Sequence, residues 1–182
     1  RVNSLDLENN PLDSLDVSSL YDLTYLQVTN SNIITLDLSN NISLIDLYII
    51  ENPSLTSIDL KNKNNLYRFR VRENSALSAL DLRNVSVFNM YHQNPGGVDY
   101  WGNISGYHFF DNPSLYCIST SDTIVSNLLL GDNIDPWCSF TDNCTDLGCT
   151  DSSALNYDPT ALIDDGTCAY TLLTYVPDDN FE

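Results

Sequence analysis

Apolar-x-apolar triplets recur along the chain at Leu5/Leu7, Leu15/Val17, Leu26/Val28, Leu36/Leu38, Leu47/Ile49, Ile58/Leu60, Phe69/Val71 and Leu80/Leu82, in steps of ten or eleven positions. Alternation with period two puts both apolar side chains of a triplet on one face, the mark of a short strand. Eight short strands at fixed spacing leave no room for ordinary helices between them. Such a chain buries its apolar residues by stacking equal coils into a solenoid. Each coil takes two triplets, so it spans twenty-one or twenty-two positions.

Between the triplets stand turn-formers rich in Asn: "ENNPL", "SNNISL", "ENPSL", "KNKNNL" and "RENSAL". Asn side chains bond the free backbone groups of a tight bend, which accounts for Asn at a repeated corner. Every second triplet places Asp16, Asp37, Asp59 and Asp81 at equivalent positions of successive coils, on strands about 4.8 Å apart. Two readings of this column stand: carboxylates accepting hydrogen bonds from adjacent turns, or a ladder that binds cations. The alternate column reads Asp6, Gln27, Tyr48 and Arg70.

One coil departs from the acidic character, "KNKNNLYRFRVR". Arg68, Arg70 and Arg72 alternate with Phe69 and Val71, so the guanidinium groups share the outer face of a strand. This is either a solvated face or a docking patch for an acidic partner. Residues 84–112 break the spacing and bring in Phe88, Tyr91, Tyr100, Trp101, Tyr107, Phe109 and Phe110. Filling of an irregular coil is one role for these rings. Contact with a sugar or a protein through Tyr91, Tyr100 or Trp101 is the other.

"SLDL" followed by "NN" or "NP" resembles the leucine-rich repeats of secreted and surface proteins of Bacteroidota, over residues 1 to about 118. The resemblance implies a mainly β fold, a leucine-rich-repeat solenoid with two short strands per coil. In that family an "NP-L-CI" segment running to a final Cys serves as a disulfide-bonded C-terminal cap, here residues 119–147. It implies a Cys117–Cys144 bridge with Cys138 unmatched, Cys117–Cys138 being the alternative. "GCTDSSALNYDPTALIDDGTCAY" is similar to a short module repeated in secreted Bacteroidota proteins, here residues 148–170, and implies a Cys149–Cys168 bridge. The last stretch, "TYVPDDNFE" within residues 171–182, resembles the segment that opens a repeat region in the same proteins. With Asp178, Asp179 and Phe181 it implies a head-to-tail contact between copies, covalent or not, of the heterologous kind that generates filaments. A plain chain boundary is the alternative.

The chain has 182 residues, a formal net charge of −18, and an uneven distribution of that charge. Residues 1–83 hold all 7 basic side chains against 11 acidic ones, and residues 84–182 hold 14 acidic ones and no Lys or Arg. Nucleic acid is a poor partner for such a surface, because its binding relies on cations that neutralise phosphates. All 5 cysteines lie at or after Cys117. Late, clustered cysteines suit disulfides in an oxidising, extracellular or cell-surface setting. Zinc is disfavoured because His92 and His108 lie far upstream of the close pair Cys144 and Cys149. No apolar run approaches the roughly 20 residues of a membrane helix, so membrane insertion is not expected.

Within the Cys149–Cys168 loop, Asp151, Asn156, Asp158, Asp164 and Asp165 supply oxygen donors and Gly166 permits a sharp bend. Calcium takes six to eight such oxygens at about 2.4 Å, so the loop is a candidate calcium site. Asp and Asn that cap turns are the competing reading. Asn41, Asn84, Asn103 and Asn143 lie in Asn-x-Ser/Thr sequons. Ser14 and Thr123 match the Asp-Ser/Thr-apolar pattern that Bacteroidota glycosylate on oxygen.

No Gly-x-Ser-x-Gly, phosphate-binding Gly loop or His-Glu-x-x-His is present, so an enzyme is not expected. The expected function is an extracellular structural or adhesive repeat protein, assembling head to tail into a filament with calcium-stabilised junctions. The alternative is a monomeric binding module that recognises a glycan or protein through the solenoid face or residues 88–110.

Overall fold

A computed structural model describes residues 1–85, 107–123 and 134–170. The chain divides into two compact units, Arg1–Cys144 and Thr145–Glu182.

The first unit is a parallel β-solenoid of about five turns. One sheet stacks β1 (Ser4–Glu8), β2 (Tyr25–Thr29), β4 (Asp46–Ile50), β6 (Arg68–Arg72) and β8 (Tyr107–His108). The other stacks β3 (Thr35–Leu36), β5 (Ser57–Asp59), β7 (Ala79–Asp81), β9 (Cys117–Ser119) and β10 (Ser139–Thr141). Pairings such as Leu26↔Leu47 and Leu47↔Phe69 match the coil length that the triplets set. The next partner, Tyr107 opposite Phe69, comes later than one coil length, so the irregular stretch is an insertion that leaves the stacking intact.

The sequence differs from the structure at two places. Leu15/Val17 forms no strand: Val17 is buried, but the second sheet begins at β3. Conversely, the period does not end at β9. Ser139 pairs with Cys117 at the regular one-coil offset, so the segment expected to be only a cap adds β10 to the sheet.

The inward rows are fully buried: Leu26, Leu47 and Phe69 in one, Val28, Ile49, Val71 and Phe109 in the next. Phe69 and Phe109 meet edge to face with ring centroids 4.9 Å apart. Burying each such side chain contributes about 1.5–3 kcal/mol, and stacking makes every coil the lid of its neighbour. The first coil is the exception, since Leu5, Leu7, Leu12 and Leu15 are only partly buried.

The corners are held by a ladder of buried amides. Asn52, Asn74 and Asn112 are 0% exposed. Each Nδ2 donates to a carbonyl of its own strand end and to one in the preceding coil: for Asn74, Arg72 O at 2.9 Å and Ile49 O at 3.0 Å. Each Oδ1 after the first accepts the backbone N–H of the Asn one coil earlier, Asn52 N to Asn74 Oδ1 at 3.0 Å and Asn74 N to Asn112 Oδ1 at 3.2 Å. Asp135 ends the ladder by accepting the N–H groups of Asp111 and Asn112. Just before these corners the backbone turns left-handed at Asn9, Asn30, Glu51, Glu73 and Asp111. Asn and Asp tolerate that region better than most residues; Glu is a less expected occupant.

The second unit pairs β11 (Leu147–Gly148) with β12 (Ile163–Asp164). The Asp146 carbonyl accepts the N–H groups of Leu162 and Ile163 beside this pair. A Cβ on Gly148 would stand 3.1 Å from the Ala161 Cβ, so this close approach favours glycine.

Candidate functional site

Both disulfides implied by the resemblances are present, Cys117–Cys144 and Cys149–Cys168. Cys138 is free. Its side chain belongs to the apolar core, 7% exposed, and burial pushes the thiol up to about 12. The alternation of β10 explains the choice: Cys138 and Phe140 enter the core, whereas Cys117 Sγ meets Thr141 Oγ1 of the alternate, outward row.

In the acidic module each carboxylate holds the turn that follows it. Asp151 Oδ1 accepts from the Ser153 N–H and hydroxyl, Asp158 Oδ1 from those of Thr160, and Asp165 Oδ1 from those of Thr167. Asp164 Oδ1 accepts from the N–H of Gly166, whose φ of 70° is the left-handed conformation glycine adopts freely. Asn156 Nδ2 donates to Thr167 O and its Oδ1 accepts from Ala169 N–H, tying the two halves of the loop together. Tyr170 donates its hydroxyl to Asp151 Oδ2 at 2.6 Å. Asp151 is held below the usual carboxylate range by Tyr170 and then Ser153, and Asp158 by Thr160. The donor set suits calcium; among the described residues no group of three or more His, Cys, Asp or Glu side chains is placed to hold a metal ion by itself.

The Asp column follows the same rule. Asp16, Asp37, Asp59 and Asp81 each accept, through Oδ1, the N–H two residues on, from Ser18, Ser39, Lys61 and Arg83. Cations of the chain itself lie beside it. Arg83 clasps Asp81 with Nε and Nη2. Lys63, 3% exposed, donates to Ser39 O at 3.4 Å; burial lowers its pKa, against the pull of Asp59 and Asp37. Lys63 stands where the previous coil has the buried Asn41, a role that periodicity alone does not single out.

On β6 the three guanidinium groups are engaged by the chain itself. Arg68 makes a two-pronged bond to Asp46, both arms 2.7 Å. Arg72 pairs with Glu73 and Asp111. Arg70 is 5% exposed, its guanidinium carbon 5.6 Å from the Tyr48 ring centroid. The alternation therefore does not make three equivalent outward groups: Arg70 is buried, Arg72 is half-buried beside two carboxylates, and Arg68 stays exposed while bound to Asp46.

Of the glycosylation candidates, Asn41 is corrected: it is 0% exposed, and its Nδ2 donates to Val17 O and Leu20 O, so no glycan reaches it in the folded chain. Asn84, Asn143 and Ser14 are exposed and Thr123 is half-buried. Tyr91, Tyr100, Trp101, Asn103, Asp178, Asp179 and Phe181 lie outside the described residues, as does most of the segment 88–110. Asp135 also escapes a reading of the sequence; it lies about one coil beyond Asp111, outside any triplet.

Comparison of the chain with protein-family models, with curated proteins and with solved structures finds no match. The two disulfides suit an extracellular or otherwise oxidising environment. No helix among the described residues is long and apolar enough to cross a membrane.

Proposed function

We propose that this chain is a non-catalytic structural or adhesive repeat unit outside the cell, joined to further copies head to tail. The supporting observation is where its polar side chains are used. Buried Asn side chains and the Arg68–Asp46 pair tie neighbouring coils together, and the Asp column caps the turns within each coil, so these groups serve the stack itself. A stack of parallel strands in which β1 has, among the described residues, a partner on one side only is the kind of element that extends by adding strands. Calcium belongs to this reading as an ion that stiffens junctions between acidic units; its support is the donor chemistry of Asp151, Asp158, Asp164 and Asp165 and the lack of Lys or Arg after Arg83.

Negative-stain electron microscopy of the native material, with calcium and with a chelator, tests both parts. Fibres that shorten on chelation are expected. Single particles at every concentration and in both buffers would refute assembly and leave a monomeric binding module for a glycan or protein; fibres indifferent to chelator would refute only the calcium junction.

A further inference from the structure

We draw no further inference here: the strongest candidate, the first coil of the solenoid, where Leu5, Leu7, Leu12 and Leu15 are only partly buried and β1 is an edge strand among the described residues, carries nothing because nothing in the structure shows what covers it.

Discussion

Replacing Asn74 by Ala removes the middle rung of the corner ladder. Three donor bonds vanish, to Arg72 O at 2.9 Å, Ile49 O at 3.0 Å and Asn112 Oδ1 at 3.2 Å. The acceptor of the buried Asn52 N–H vanishes with them. A lost neutral hydrogen bond costs about 1 kcal/mol and a stranded buried donor about 1–3 kcal/mol. Because such contributions are not additive, the expected loss is about 3–5 kcal/mol, a large share of the roughly 5–15 kcal/mol that holds a domain together. Chemical denaturation followed by circular dichroism measures it as a lower midpoint. The control is Asn30→Gly, at an exposed left-handed corner with φ of 56°, where glycine fits without strain. A loss at Asn74→Ala of less than about 1 kcal/mol, the size of one ordinary hydrogen bond, or no larger than that of the control, would refute the ladder as a source of stability.

Acid weakens the fold with a definite sign. Asp16, Asp37 and Asp81 have folded pKa values below the ordinary 3.8, so the stability they contribute is complete above that value and is lost as pH falls through the folded pKa values. Thermal unfolding against pH is expected to be flat near neutrality and to drop below about pH 4; a midpoint that rises on acidification would contradict the turn-capping role. Replacing Cys117 and Cys144 by Ser opens a loop with a sequence separation of 27, for which chain entropy alone predicts a loss of about 3.5 kcal/mol; calorimetry reads it, and no change would mean that the last coil is held by its core contacts. Cys138 is expected to resist thiol reagents in the folded protein and to react on denaturation, whereas rapid labelling under native conditions would place its thiol outside the core. Calcium titrated into the full chain is expected to raise the unfolding temperature of the acidic module, and Asp164→Asn with Asp165→Asn to abolish the shift; a chain whose unfolding ignores calcium would leave these carboxylates as turn caps alone.

Much of the architecture is legible in the triplets, because strand pairing between equal coils needs only that Leu26, Leu47 and Phe69 recur at the length of one turn. The same spacing tells which residues face inward and that Asn occupies the corners. Short motifs carry less. Asn41 has a glycosylation motif, yet occupies a corner position where its amide is buried, and a motif of three residues contains no information about burial. The alternation of Arg68, Arg70 and Arg72 marks one face of a strand, but the carboxylate that satisfies Arg68 belongs to Asp46, one coil earlier on the neighbouring strand.

The amino-acid sequence by itself determined the coil length, all but one of the expected triplet strands, the inward rows and the turn-forming corners, since each follows from local periodicity and the conformational preferences of Leu, Asn and Asp. Only the tertiary structure decided that Arg68 pairs with Asp46, which cysteine stays free, that β10 extends the stack, and that Lys63 and Asp135 act as internal partners. Those outcomes depend on which side chains of adjacent coils lie about 4.8 Å apart across a strand pair, a relation between residues a full coil apart that no single coil specifies.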